Sequence, residues 1–193
     1  APFGIASSPM DTSIIQFTVK RYPGGVFTTA LHGLKVGAKL GIRVPLGNGY
    51  PMEKLKGRNI FIIGGGFALT TLRSTANYIL HEKNRGDYGN LTIFVAARNP
   101  GESLYRQDIN NWQGRADAKV IKTIDTPADG WDGKVGYAAV VLKGLRVDPA
   151  NASALVCGPP VMIKTCIFEL MKAGFDAEKD RKSTRLNSSH RIR

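Results

Sequence analysis

The chain has 193 residues, of which 42% are hydrophobic, and a formal net charge of +12. This length allows one large or two small domains, and no apolar run approaches the roughly 20 residues that a membrane-spanning helix needs. Only two cysteines are present, Cys157 and Cys166, which excludes a disulfide framework and a cysteine metal cluster. The basic residues are dispersed without interleaved aromatics, which argues against a nucleic-acid interface. We therefore expect a cytoplasmic protein that has no membrane span and binds no nucleic acid.

The amino-terminal residues 1–53 have a β-rich composition. Residues 14–20 and 39–44 carry β-branched or partly alternating patterns that end at Gly or Pro, which predicts two strands. Residues 28–34, between them, predict one or two helical turns. This spacing fits part of an antiparallel barrel, although too few strands are present to close one. Residues 54–58 are predicted to be a hinge to the next domain.

The following segment, residues 59–176, alternates between strand and helix patterns. Strands are predicted at 59–63, 91–96, 118–124 and 152–157, and helices at 69–82, 102–112, about 135–144 and 160–173. Alternation of this kind predicts an α/β domain whose parallel sheet is covered by helices on both faces.

Two turns in this segment follow predicted strands and precede predicted helices. One is the glycine turn (residues 64–68, Gly-Gly-Gly-Phe-Ala), and the other is the cysteine turn (residues 157–159, Cys-Gly-Pro). Ligands of open α/β sheets bind at the carboxyl ends of the strands, where backbone N–H groups at a helix start attract phosphate. A glycine cluster alone is also compatible with an ordinary tight turn, and Cys157 with a buried residue at a strand end. Two such turns in one array favour a nucleotide site.

These motifs, with residues 2–9 and 25–28, resemble successive signatures of the ferredoxin–NADP reductase superfamily. The similarity runs from about residue 1 to about residue 176. It is greatest to the electron-transfer subunits of sulfhydrogenase, anaerobic sulfite reductase and dihydroorotate dehydrogenase. The resemblance implies an FAD-binding β-barrel followed by a five-stranded NAD(P)-binding domain, here lacking its last edge strand. It also implies a partner redox subunit and, in many members, an iron–sulfur cluster.

The resemblance further implies which residues contact the flavin. In the first motif Phe3 would stack on the isoalloxazine ring. The main chain of Gly4, Ile5 and Ala6 would then hydrogen-bond the ring's edge, and Ser7 would belong to the same binding segment. Ala1 stands where the family has an arginine. The second motif comprises Gly25, Val26, Phe27 and Thr28, and the Thr28 hydroxyl is expected to cap a helix start and touch a phosphate. If no flavin binds, the first motif is compatible with an ordinary strand edge that carries a buried Phe, and the second with a helix cap that touches no ligand.

For the nicotinamide nucleotide, the resemblance implies binding by Gly65, Gly66, Phe67, Ala68, Gly158, Pro159 and Met162. Ala68 and Thr71 replace a glycine and a proline of the family's turn, and a hydroxyl of Thr70 or Thr71 is a possible compensation. Arg98, after the second strand, would lie beside the adenosine ribose, where a cation accepts a 2′-phosphate. Arg73 is equally compatible with a charge on the helix surface. Cys157 would lie near the reactive carbon of the nicotinamide, in a positional role.

The function expected from these features is hydride transfer between NAD(P)H and FAD, followed by electron transfer to an iron–sulfur partner. Hydride transfer requires two rings in contact and no protein acid or base. The alternative is a regulatory or assembly subunit that binds NAD(P) without turnover, which the replacements at Ala1, Ala68 and Thr71 favour. No metal ligands are expected in this sequence, because the cluster cysteines of the family would lie beyond Lys179.

The sequence also leads to predictions about its two termini. The family's barrel has strands before Ala1, so we expect a truncated amino terminus. Residues 180–190 resemble the in-frame translation of a common DNA sequencing adapter, and residues 180–193 are therefore interpreted as an artefactual, disordered tail. An ordinary basic, serine-rich tail is the alternative.

Overall fold

The structure is a computed structural model that describes residues 3–43, 46–145 and 147–176. Its helices are α1 (Val26–His32), α2 (Met52–Leu55), α3 (Leu69–Leu80), α4 (Arg106–Gln113), α5 (Ala138–Lys143) and α6 (Pro160–Lys172). Its strands are β1 (Asn59–Gly65), β2 (Leu91–Ala97), β3 (Ala118–Ile124), β4 (Lys134–Val135) and β5 (Ala152–Cys157). The expectations for Ala1 and for residues 180–193 lie outside the described residues.

The strands form one parallel sheet in the order β4-β3-β2-β1-β5. β1 lies inside the sheet, between β2 and β5, and its continuous apolar sequence suits a strand that is covered on both faces. The α/β fold with a parallel sheet is therefore confirmed. Among the described residues β5 is an edge strand, and the further strand expected after α6 would fall beyond them.

Helices cover both faces of this sheet. Ile60 and Ile62 of β1 pack with α3 and α4 on one face, and Ile63 packs with α5 and α6 on the other. Alternate residues of a strand point to opposite faces, so one apolar strand contributes to both halves of the core. This packing fixes the carboxyl ends of β1 and β5, from which the two turns emerge.

Two predicted helices begin later than their sequence patterns indicate. The first starts at Arg106, not at 102, because residues 100–102 form a separate 3-10 turn and Tyr105 has a left-handed φ of 55°. The Asn99 side chain accepts a hydrogen bond from the Glu102 N–H at 3.1 Å and thereby stabilises this turn. The second starts at Ala138, after β4 and Gly136, which has a φ of 129°.

The amino-terminal segment differs from its prediction. The two strands predicted at 14–20 and 39–44 are absent from the described residues of that segment, and a single antiparallel bridge joins Ile5 to Phe17. The predicted helical turns are present, as α1, which starts two residues early. A strand needs a neighbour that pairs with its backbone, so β-branched composition alone does not form one. The structure therefore does not show the barrel itself.

A search of the described residues for a helix long and apolar enough to cross a bilayer finds none.

Candidate functional site

The glycine turn and the cysteine turn lie side by side at one edge of the sheet. β1 and β5 are neighbours, and their register pairs Gly64 with Cys157. A methyl group placed on Gly158 would lie 3.5 Å from the Cα of Gly65. The two turns are therefore close enough to contact the same ligand, as the sequence prediction requires.

The glycine turn leaves backbone N–H groups without side-chain acceptors. Residues 66–68 form a 3-10 turn that leads into α3, and neither Gly65 nor Ala68 provides a capping side chain. Gly66 has a φ of +55°, which favours glycine, and a methyl group there would meet no atom within 4 Å. Uncapped donors beside open space suit an anion such as a phosphate.

Met162, in the first turn of α6, fills the space between the two turns. A methyl group on Gly65 would lie 2.1 Å from the Met162 sulfur, and one on Gly158 would lie 2.8 Å from the same atom. Side chains at these positions would force the thioether to move. Glycine is needed here because of close packing, and Met162 joins the two turns through its sulfur.

Cys157 is buried and contacts α3. The Thr71 hydroxyl has two acceptors within reach of its one hydrogen, the Ala68 carbonyl at 3.0 Å and the sulfur of Cys157 at 3.6 Å. Burial raises the pKa of Cys157, while the hydrogen bonds from Thr71 and from the Gly158 backbone lower it in part. The group is a protonated thiol at neutral pH, so a nucleophilic thiolate is not what this environment favours.

Thr71 also brings the amino-terminal loop (residues 3–7) to the same place. A methyl group on Gly4 would lie 2.4 Å from the methyl carbon of Thr71, so the loop backbone rests directly on α3. Tyr50 belongs to this cluster as well. Burial and the nearby Cys157 raise the pKa of its hydroxyl, and a hydrogen bond with Thr71 lowers it. Gly4, Tyr50 and Cys157 thus meet at one threonine.

The two predicted flavin motifs also meet each other. The rings of Phe3 and Phe27 are stacked, with centroids 5.8 Å apart and planes 24° apart. The Thr28 hydroxyl donates to the Gly25 carbonyl at 3.3 Å, and α1 has no side-chain cap, so the predicted capping role of Thr28 is wrong.

Within the amino-terminal loop, Ala6 and Ser7 are buried whereas Ile5 is exposed. The Ala6 N–H donates to the Gln16 carbonyl at 2.8 Å, and the Gln16 N–H donates to the Ser7 hydroxyl at 3.1 Å. These bonds hold the loop in a defined conformation. Some polar groups of the residues predicted to contact the flavin are therefore already used in hydrogen bonds within the protein.

Arg98 and Arg73 have different surroundings. Arg98 is exposed immediately after β2, at the same end of the sheet as the glycine turn, as the sequence predicts. Arg73 is half-buried, with 16% of its side chain exposed, and it forms an ion pair with Asp108 at 3.1 Å. The interpretation of Arg73 as a charge on the helix surface is wrong.

Sequence reasoning missed Tyr50, Asp108 and the connection through Thr71. Each contact joins residues at least 21 positions apart, and nothing local marks them. The replacement of a proline by Thr71 was the one available signal, since it puts a hydroxyl at a helix start.

Comparison with known proteins finds two oxidoreductase domains in this chain. The family model described as the oxidoreductase NAD-binding domain matches residues 62–167, and the oxidoreductase FAD-binding domain matches residues 2–50. The sulfhydrogenase 1 subunit gamma of Pyrococcus furiosus is 30% identical over 179 residues, which cover 92% of this chain and 60% of that protein. NADH-cytochrome b5 reductase 2 of Emericella nidulans is 28% identical over 168 residues, which cover 84% of this chain and 51% of that protein.

A solved structure supports the fold. The ferredoxin NADP+ reductase from Neisseria gonorrhoeae, crystallised with FAD and NADP, superimposes with a TM-score of 0.72 at 13% identity. The match covers 94% of this chain and 75% of that one. The chain spans roughly half to three fifths of the two curated relatives named above. The NAD-binding model matches more than half of this chain, which therefore belongs to the oxidoreductases with this NAD-binding domain, here preceded by a match to the FAD-binding domain.

Proposed function

We propose that this chain is a flavin-dependent oxidoreductase subunit that transfers hydride between NAD(P)H and FAD and passes electrons to an iron–sulfur partner. The observation that carries the proposal is the meeting at Thr71. Gly4 of the amino-terminal loop touches its methyl group, and Cys157 of the cysteine turn touches its hydroxyl. A residue expected beside flavin and one expected beside nicotinamide are thereby separated by a single side chain.

The residues present fit both cofactors. FAD would be held by the amino-terminal loop and by residues 25–28, with Phe3 and Phe27 supplying aromatic surface. The open space at Gly66 and the uncapped N–H groups of the glycine turn suit a nucleotide pyrophosphate. The exposed Arg98 would face the ribose and accept a 2′-phosphate. When bound, FAD supplies the ring system that accepts a hydride and releases electrons one at a time.

The chain's own groups position the reactants in this reaction. Cys157 stays protonated because burial raises its pKa, so it offers the nicotinamide a compact, uncharged contact. Thr71 fixes that thiol through its hydroxyl and supports Gly4 through its methyl group. Holding two reacting groups in contact removes much of the entropic cost of bringing them together.

The proposal is tested by loading the chain with FAD and titrating it with NADH or NADPH under anaerobic conditions. We expect a yellow protein whose flavin absorbance is bleached by at least one of the two nucleotides. Cys157→Ala should slow bleaching by about 10- to 100-fold, since misplaced reactants lose rate steeply. Cys166→Ala is the matched control, because Cys166 is also buried but packs on the opposite face of the sheet.

The partner is proposed from the relatives. A sulfhydrogenase gamma subunit is by name one subunit of a larger enzyme, and the basic charge of this chain suits an acidic partner surface. We expect the reduced protein to pass electrons to an iron–sulfur protein such as a ferredoxin, at a rate that falls as salt rises. Salt-independent transfer, or none, would contradict an electrostatically guided partner.

The second candidate is a subunit that binds NAD(P) without turnover. Ala68 and Thr71, which replace a glycine and a proline of the family's turn, favour it. It predicts that calorimetry detects NAD(P) binding while the protein neither retains FAD nor oxidises the nucleotide. Bleaching of bound flavin by NADH or NADPH would exclude it.

A further inference from the structure

One side chain of α3 joins the amino-terminal loop to the nucleotide half. The Arg73 guanidinium donates from Nη1 to the Ala6 carbonyl and to Oε1 of Gln16, each at 2.8 Å. From Nε and Nη2 it donates to the two carboxylate oxygens of Asp108, each at 3.1 Å. One planar group therefore connects α3 with α4 and with both sides of the loop's backbone bridge.

The guanidinium is itself held in a fixed orientation. The fork of bonds to Asp108 is bidentate, which defines its plane as well as its position. The Tyr105 ring lies against it, 4.9 Å from the ring centroid to the Arg73 Cζ. The Tyr105 hydroxyl in turn makes a hydrogen bond with the Thr18 hydroxyl, in the amino-terminal segment. A lysine would offer a point charge with none of these directional constraints.

The hydrogen bond from Arg73 to Ala6 lies within the segment that is predicted to contact the flavin. The Ala6 N–H is already used by Gln16, and its carbonyl is used by Arg73, so both backbone polar groups of this residue are fixed. Two residues away along the loop, Gly4 rests on Thr71, which is two residues before Arg73. The start of α3 thus holds the loop at two points.

We propose that Arg73 is a positioning residue that sets the separation of the amino-terminal loop from the glycine and cysteine turns. This inference rests on the proposed function, because the separation matters only if both rings bind there. Asp108 and Tyr105 support Arg73 from α4 and its preceding turn. Arg73 acts through the backbone of Ala6 and does not itself contact the reacting atoms.

The first test uses the full chain without cofactor and follows backbone hydrogen exchange. Arg73→Ala should raise exchange of residues 3–17 by about tenfold or more, while β1 and β2 keep their protection. Arg73→Lys should give a smaller increase, because it can keep one bond to Ala6 or Gln16. Arg115→Ala is the matched control, because it also breaks an Arg–Asp pair, with Asp117 at 2.7 Å, away from the loop. Unchanged exchange of residues 3–17 in Arg73→Ala would overturn the proposal.

The second test uses the FAD-loaded chain and separates rate from affinity. Arg73→Ala should slow flavin reduction by about 10- to 100-fold at saturating nucleotide while changing the nucleotide Kd by less than about threefold. Equal rates in Arg73→Ala and Arg115→Ala would overturn the proposal. Should Arg73→Ala not fold, Asp108→Asn removes the charge that orients the guanidinium and should give a smaller slowing. A wild-type rate in Asp108→Asn would then overturn the inference.

The two proposals fail in different ways. A wild-type chain that is not reduced by NADH or NADPH contradicts the proposed function. A wild-type chain that is reduced, together with an Arg73→Ala variant that is reduced equally fast, contradicts only the role of Arg73.

Discussion

The nucleotide half, residues 59–176, and the amino-terminal segment, residues 3–53, are built on different principles. The first is a sheet with fully buried residues on both faces. The described residues of the second have one bridge, the seven-residue helix α1 and the start of α2, and leave many large apolar side chains exposed. The comparison teaches that the two sides of the candidate site are held differently. Residues 59–176, the rigid side, are fixed by the core of the sheet, whereas residues 3–53, the dependent side, are held in place largely by contacts with α3.

The largest expected effect comes from truncating a leucine on each side. Leu72 is fully buried beneath the glycine turn, whereas Leu40 is 52% exposed. Leu72→Ala should lower the free energy of unfolding by about 2–5 kcal/mol, because it removes buried apolar surface and leaves a cavity. Leu40→Ala should change it by less than about 0.5 kcal/mol. Urea unfolding measures both, and equal losses would erase the distinction between the two regions.

The second-largest loss of stability is expected from adding a methyl group to a glycine of the glycine turn. Gly65→Ala pushes a methyl group toward the Met162 sulfur and should cost about 1–3 kcal/mol of stability. It should also weaken nucleotide binding measured by calorimetry. Gly41→Ala is its counterpart in the amino-terminal segment, where a methyl group meets no atom within 4 Å. A Gly65→Ala variant as stable as Gly41→Ala would contradict the close packing around Met162.

A smaller effect is expected from alkaline pH, since both cysteines are in the nucleotide half. Burial raises the pKa of Cys166 to about 11 and raises that of Cys157 as well. A raised pKa stabilises the folded protein below the ordinary thiol pKa, and that contribution is lost as pH rises toward the folded value. The urea midpoint of wild type should therefore fall more steeply than that of Cys166→Ala between pH 8 and pH 10.5. Parallel curves would contradict this titration.

The smallest effect concerns two tyrosines. The Tyr88 hydroxyl is buried and has no hydrogen-bond partner among the described residues, whereas Tyr22 is exposed. Tyr88→Phe should raise the free energy of unfolding by about 0.5–1 kcal/mol, because it removes an unsatisfied polar group. Tyr22→Phe should leave it unchanged. A loss of stability in Tyr88→Phe would reveal a partner for the hydroxyl.

The rigid side was predictable from local sequence. The apolar runs at 59–63 and 152–157 mark strands because a buried parallel strand must be apolar on both faces. The glycine turn and the cysteine turn could be located because they follow directly where these apolar runs end. The starts of α4 and α5 could not, because they follow the positive φ angles of Tyr105 and Gly136, and these residues contact Arg73 and β3, which no local pattern reveals.

The dependent side was predictable only in part. The composition of residues 14–20 predicts a strand, but pairing depends on a neighbour that composition does not reveal. Thr71 and Cys157 are 86 positions apart, Arg73 and Ala6 are 67 apart, and neither Thr71 nor Arg73 is distinctive within the sequence of α3. No local pattern encodes the contacts of Thr71 with Gly4 and Cys157, or the stacking of Phe3 on Phe27.

The pairing of Gly64 with Cys157 makes the length of two strands a determinant of the site. Inserting one residue into β5 would displace the cysteine turn by about 3.3 Å relative to the glycine turn. It would also turn every later side chain of the strand to the other face, so that the thiol would leave Thr71. Evolutionary or engineered changes in length should therefore be tolerated in the surface loops and excluded from these two strands.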